Sequence, residues 1–427
     1  MKATPARLPR NLWWAIALSF VVQVAAIGIL HQYRIRATDN HFGFGWEMGC
    51  VGRALASGRG FSDPYCAGTG PTAWEPPLYP YLIGGVFKTF GVYSVASAWV
   101  LLTLNSLFAS LTCIPIYLIA RKTIDEKVAR WSAWMWALLP YTWYWSIHWI
   151  WDTTVTPLVL GLIFLLSLEL EDWEGNWGWI LFGVLWGIGA LLNPSMLSFL
   201  PICGLWVWYR RSKRGLKSFG GVVLASVVFY LSLSPWLVRN YLTFGRFVFI
   251  RDDLGEQLRL GNGPNADGVL MAYLQPNLNA VELRRFQEMG ELAYSAQRKR
   301  EAFEFVRENP GRFAVISLKR FVYYWAGVPK RGDSMAVSIG RHCVFLASSA
   351  LALWGLILAL HRKKPGAWLF AWLVLSCPTV YYFVFTHARY RHPIEPELLI
   401  LAVYLISEAQ IFSRQRQRLP KPEHSVV

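Results

Sequence analysis

The sequence is short of charge. Only 16% of its 427 residues are Asp, Glu, Lys or Arg, against about 25% in a soluble domain. With 54% hydrophobic residues and a mean hydropathy of +0.31, a chain soluble throughout is excluded. Acids are scarcer than bases: 26 Asp and Glu stand against 42 Lys and Arg, a net charge of +16. The six cysteines form no CxxC pair and no metal-type spacing, so zinc-ribbon and dithiol redox chemistry lack their signatures. There is no low-complexity tract and no repeat in the range of about 20–50 residues that marks solenoids. The string GNGPNA follows no strand–helix unit, so it does not read as a nucleotide-phosphate loop.

What is there instead is a series of apolar runs. Residues 12–30 carry no charge and match the roughly 20 residues that cross a bilayer as a helix. No small-residue cleavage site follows a short apolar core, so this run reads as a retained span and not a signal peptide. Further runs fall at 92–120, 131–147, 153–170, 177–192, 196–209, 219–235, 339–360, 367–385 and 394–412. Backbone polar groups in lipid must be satisfied within the segment. The expected fold is therefore an all-α integral membrane domain covering residues 1–427, with about ten transmembrane helices.

Basic residues orient it. Lys2, Arg7 and Arg10, then Arg121, Lys122, Lys127 and Arg130, the clusters at 210–217 and 362–364, and the tail at 414–421 all fall on one side if the spans alternate. That side is cytoplasmic by the positive-inside rule, so both termini are expected there, in an inner membrane. The acidic turn EDWEG at 171–175 is the one misfit. In a soluble protein the basic excess would suggest nucleic acid. Here topology and an anionic lipid ligand account for it, and no nucleic acid is expected.

The opposite, periplasmic face receives two large loops, 31–91 and 236–338. The first holds Cys50 and Cys66, which could pair in an oxidising compartment. Its prolines delay helix until about Leu78, after which a short amphipathic helix carries Lys88. The second includes 280–310, an amphipathic helix or pair of helices ended by Pro310 and Gly311, and then 313–325 along the membrane interface. Pro235 is expected to end its span, leaving Arg239 and Asn240 about a turn outside.

Nearly all the unusual polar residues lie on that face. Asp39 and Glu47 follow the first span among aromatic and glycine residues, and Asp152 lies in another short loop. A carboxyl shielded by aromatics can keep a raised pKa and accept a proton from a hydroxyl. The plain alternative is a solvated loop acid paired with Arg34, Arg36 or Arg53. In HARYRHPIEP, Arg389 and Arg391 flank Tyr390, with His387 and His392 outside them. Guanidinium forks suit phosphate oxygens; snorkelling to headgroups is the plain reading. The histidines could ligate a metal, but no third ligand is visible.

Five stretches together resemble the polytopic lipid-linked glycosyltransferases of the GT-C class, nearest the bacterial branch of protein mannosyltransferases and the lipid A aminoarabinose transferase. They are FGWEMGCVGRALASGRGF, GPTAWEPPLYPYL, PWLVRNYLTFGRFVFIR with LRLGN, GELAYSAQRKREAFEFVRENPGRF, and RYRHPIEP. The resemblance implies a sugar donor on a polyprenyl phosphate and a lipid, glycan or protein acceptor. It implies inversion at the sugar carbon, with an acid of the first external loop as general base. The class carries an Asp-Glu pair ahead of a small-Arg-x-x-Leu helix. Here GRAL matches the helix but the pair is missing, so Glu47 is the first candidate base and Asp39 the second. Asp152 matches the position of a second acid. Arg389, Arg391, Lys88 and Arg239 are placed at the lipid phosphate, with His387, His392 and Tyr390 beside them. No cofactor is required by this reading, although a divalent metal could bridge phosphate and acids. Two other classes fit membrane composition: a transporter or flippase of an amphipathic anionic lipid, and a non-catalytic envelope assembly protein. The first favours repeats and broken helices at mid-membrane; the second predicts tolerance of Glu47→Gln.

Overall fold

The computed structural model describes residues 8–35, 42–330 and 332–418. Helices dominate, and among the described residues the only β pairing is an isolated bridge between Ser62 and Pro71. Among the described residues, five helices are long and apolar enough to cross a membrane: Arg10–Ile29, Val95–Thr123, Asp152–Glu169, Phe219–Phe244 and Met335–His361. Trp177–Leu192 and Ala367–Phe383 are shorter apolar helices.

Prolines explain where the apolar runs and the helices part company. The run at 131–147 divides into Glu126–Leu138 and Pro140–His148, because Leu139 is extended ahead of Pro140. The run at 196–209 begins as the tight turn Pro194–Ser198 and continues as Leu200–Lys213. Pro235, expected to end its span, does not. The helix Phe219–Phe244 carries it internally and stops at Gly245, which is left-handed. Transmembrane helices tolerate an internal proline where neighbours satisfy the freed carbonyl. Arg239 and Asn240 are thus helical residues and not loop residues.

The helices pack through small and polar groups. A Cβ at Gly355 would lie 2.1 Å from the Leu401 carbonyl, so Met335–His361 and Glu395–Arg418 touch backbone to backbone. In the bundle interior Ser146 donates to Gln23 at 2.6 Å, and Gln23 donates to Ser19 at 2.9 Å.

One end of the bundle is tied by ion pairs. Lys122 meets Glu169 at 3.0 Å, while Glu171 accepts from Arg210 at 3.0 Å and Arg214 at 2.7 Å. The acidic turn that fitted the charge rule badly is therefore the counterion of the basic cluster beside it.

The other end is capped by two segments zipped together. Glu291, at the start of the helix Glu291–Glu308, accepts from the Ala73 amide at 2.6 Å and from the Thr72 hydroxyl. Asp252 donates its amide to the Ala73 carbonyl at 2.9 Å. Tyr65 and Trp74 of the first segment pack with Phe286 and Tyr294 of the second. Arg298 is buried among Glu256 at 3.1 Å, Glu282 at 2.6 Å and Glu301 at 3.1 Å. The amphipathic stretch is a pair of helices, Ala280–Met289 and Glu291–Glu308, broken where Gly290 takes φ +75. Cys50 and Cys66 form a disulfide.

Candidate active site

Between the cap and the bundle lies a cavity of about 1560 Å³. It is distant from the ion-paired end. The helix Val155–Glu169 starts beside the cavity at Asp152 and finishes at Glu169, and its 15 residues span roughly 22 Å.

Glu47 enters through a turn no ordinary sequence would choose. Gly45 and Trp46 both have positive φ, +85 and +46, and the helix Glu47–Ala56 begins directly after them. A Cβ at Gly45 would lie 2.4 Å from the Ile150 carbonyl. Only glycine fits there, and it presses the start of the helix against the segment that leads to Asp152. Glu47 is buried at 8% exposure on the cavity wall. Burial raises its pKa to about 7, with its own backbone amide and the Arg389 and Arg251 guanidiniums pulling the other way.

Asp152, also buried, accepts from the Asn193 amide at 2.9 Å and from the Thr156 hydroxyl at 3.4 Å. Its loop is held by Asn105, which donates to the Trp149 carbonyl at 2.8 Å and accepts from the Tyr79 hydroxyl at 2.8 Å. Arg389 completes the wall. Its guanidinium lies over Trp151 at 4.2 Å and Tyr390 at 5.5 Å, held by rings that leave Nη1 unbonded. Tyr390 stacks on Tyr381 at 4.3 Å. His387 lines the cavity too; burial, then repulsion from Arg389 and Lys330, pushes its pKa down to about 3, so it is neutral.

Glu47, Asp152, Arg389, Tyr390 and His387 thus share one cavity, and the other described candidates, Arg391, Arg239, His392 and Lys88, do not line it. Arg391 points away into the bundle. It donates to Ser349 at 2.6 Å and Ser348 at 2.7 Å and pairs with Glu395, which ties its turn to the helix Met335–His361. That geometry makes it a structural anchor and not a phosphate ligand. Arg239 clamps the cap, donating to the Thr72 and Phe61 carbonyls at 2.6 Å each. His392 is fully buried against Trp136. Lys88 is exposed on the helix Leu78–Phe90, outside the cavity lining. Asp39 lies outside the described residues.

Among the lining residues with no role assigned from sequence are Glu75, Arg251 and Asp253. Arg251 pairs with Asp253, reaches Glu75 at 3.7 Å and donates to the Trp74 carbonyl at 3.2 Å. Glu75 and Arg251 stand within stretches that carry the family resemblance and Asp253 lies just after one of them, so proximity to those motifs was the available signal. Among the described residues no three His, Cys, Asp or Glu side chains gather to hold a metal ion, so the cavity offers a divalent ion no ready-made nest.

Residues 74–238 match the family model of the dolichyl-phosphate-mannose-protein mannosyltransferases. Over 96% of its length the chain superposes on the Archaeoglobus fulgidus oligosaccharyltransferase crystallised with zinc and sulfate, at 16% identity and a TM-score of 0.54. The likeness is one of fold: the chain is built on the fold of this oligosaccharyltransferase. A second structure of the archaeal enzyme, tethered to an acceptor peptide, gives a TM-score of 0.52 at 13% identity over 96% of this chain and 51% of that one. ArnT of Cupriavidus metallidurans bound to undecaprenyl phosphate is a looser match, with a TM-score of 0.38 and 12% identity over 97% of this chain and 80% of that one. The chain spans about half the length of the oligosaccharyltransferases it matches, 50% in the first case. No curated protein matches it by sequence.

Proposed function

We propose that this protein is a membrane glycosyltransferase that moves a sugar from a polyprenyl-phosphate carrier to a hydroxyl-bearing envelope acceptor. One observation carries the reading: a carboxyl tuned near neutrality, Glu47, and an aromatic-held guanidinium, Arg389, face the same cavity at the end of the bundle opposite the basic cluster. By the positive-inside rule the basic end is cytoplasmic and the cavity faces the periplasm.

Glycosyl phosphates need little activation. The sugar–oxygen bond breaks toward phosphate, and catalysis consists of placing the acceptor, removing its proton and stabilising the departing charge. Glu47 is the base that takes the acceptor's hydroxyl proton as its oxygen bonds to the anomeric carbon. Arg389 meets the phosphate, whose negative charge grows as the bond breaks. Asp152, fixed by Asn193 and Thr156, orients the acceptor in the same cavity. Attack on the face away from the leaving phosphate inverts the sugar carbon.

The test is transfer from radiolabelled polyprenyl-phosphate sugar pools in membranes holding equal amounts of wild type, Glu47→Gln and Asp39→Asn. Loss of transfer with Glu47→Gln alone is expected, by about 10²–10⁴-fold for a general base. Loss with Asp39→Asn alone moves the role to Asp39. A wild type inactive with every pool, yet able to move the same lipid across vesicles, would replace the transferase by a flippase.

A further inference from the structure

The cap gives the cavity a polar wall that the chemistry above does not use: Glu75, Arg251, Asp253, Gln257 and Gln275. Its build follows from the chain. Asp252 is tied away, its amide meeting the Ala73 carbonyl at 2.9 Å and its carbonyl accepting from the Ser295 hydroxyl. Arg251 and Asp253, on either side of it, line the cavity. Arg251 is held by Asp253, by Glu75 at 3.7 Å and by the Trp74 carbonyl at 3.2 Å. Gln257 donates to Asp253 at 2.7 Å. Buried Arg298 fixes the flanks. It pairs at 3.1 Å with Glu256, beside Gln257, and donates at 3.2 Å to the Leu274 carbonyl, beside Gln275. The polar groups are therefore set in place before anything binds.

The bundle lines the same cavity differently. Trp145, Trp149 and Trp151 stand there, with the Arg389 guanidinium over Trp149 at 5.7 Å and Trp151 at 4.2 Å. Rings and one cation suit a lipid phosphate. Amides, carboxylates and a guanidinium suit a ligand rich in hydroxyls.

We propose that the cap wall is the acceptor subsite and that the acceptor is a saccharide, so that the bond made joins sugar to sugar. The proposal rests on the transferase reading above and names its acceptor. A hydroxyl donates and accepts at once. In this wall donors and acceptors adjoin, Arg251 and Gln257 beside Asp253 and Glu75, as neighbouring hydroxyls on a sugar ring require. An acyl chain offers them no partner, and a Ser or Thr side chain offers one hydroxyl. A site built for hydroxyls discriminates strongly against ligands that lack them, because its own polar groups are then left unpaired. Gln275 supplies an independent sign. Its Oε1 is buried with no hydrogen-bond partner among the described residues. Such an oxygen costs stability until a donor arrives, and a saccharide hydroxyl is that donor. In the reaction an acceptor O–H bond breaks and its oxygen bonds to the anomeric carbon. The proton goes to Glu47, and the phosphate leaves with the electron pair of the old sugar–oxygen bond.

Linkage analysis of the transferred label decides it. Membranes from cells expressing the full-length chain are given the radiolabelled polyprenyl-phosphate sugar pools, and the atom to which the label becomes bonded is determined. A bond to another sugar is expected. A bond to a Ser or Thr side chain, or to a lipid hydroxyl, overturns the saccharide acceptor and leaves the transferase reading intact. Gln275→Leu and Arg251→Lys should each lower transfer about tenfold, the size of one lost hydrogen bond, with KM for the lipid donor near wild type. Lysine keeps the charge of Arg251 and loses its fork. Purified Gln275→Leu should have a Tm at or above wild type, because an unpaired buried oxygen is removed. Wild-type transfer by Gln275→Leu, or a loss that comes with a lower Tm and a raised donor KM, overturns the cap wall as the acceptor subsite. A wild type without transfer from any pool overturns the transferase reading and this subsite with it.

Discussion

Arg389 and Arg391 stand two positions apart in the tight turn Ala388–Ile394 and serve opposite purposes. Arg389 faces the cavity over Trp151, whereas Arg391 is saturated by Glu395, Ser348 and Ser349. Arg389→Ala should therefore cost about 10²–10³-fold in transfer, as for other groups that meet developing negative charge, with Tm near wild type. Arg391→Met should do the reverse. It strands a buried carboxyl, at a cost of roughly 3–5 kcal/mol, lowers Tm in detergent, and leaves KM for the donor unchanged in the folded fraction. Pairing it with Glu395→Leu should restore much of that stability. The acids make a pH prediction. Glu47 ionises near pH 7, so transfer should rise as pH passes through neutrality. Its folded pKa lies above the unfolded value of 4.5, so the native state binds more protons than the unfolded chain between those pH values. The contribution of Glu47 is then greatest below about pH 4.5, falls as pH rises to about 7, and is fully lost above that. Tm scans from pH 5 to pH 9, as orders of acidity around these values, check the sign.

At the scale of the element, Glu47 depends on the turn before its helix and the disulfide within it. Gly45→Ala should abolish transfer without unfolding the bundle, because a methyl group would strike the Ile150 carbonyl. The checks are activity and circular dichroism on the same preparation. Cys50 lies one turn after Glu47 and is bonded to Cys66, so Cys50→Ala or a strong reductant should lower transfer and leave the membrane helices folded. The helices themselves were largely readable from the apolar runs, but the run at 131–147, read as one span, is broken at Leu139, and the stretch at 280–310, read as one helix or two, is divided at Gly290. Pro235 was expected to end its span and does not. Its helix continues because the Leu231 carbonyl that the proline frees accepts from the Ser234 hydroxyl at 2.8 Å.

Across the whole molecule, the cap over the cavity depends on two segments about 220 residues apart in sequence, since Thr72 to Glu291 spans 219 positions. Glu291→Ala would leave the Ala73 amide and the Thr72 hydroxyl unpaired, at about 1–3 kcal/mol. The expected result is faster limited proteolysis within the cap, with the transmembrane helices still protected. Composition alone determined that the chain lives in a membrane, which ends of its helices are basic, and that its unusual acids, arginines and histidines gather opposite them. Those properties follow from transfer free energies that act residue by residue. Only the tertiary structure decided which of those residues meet. It turned Arg389 inward and Arg391 away, left Lys88 on the surface, made Arg239 a clamp, and brought Glu75 and Arg251 to the wall that Glu47 occupies. A cavity is assembled by side chains from distant elements, and the rotation of each about its own backbone is set by packing that no local pattern encodes.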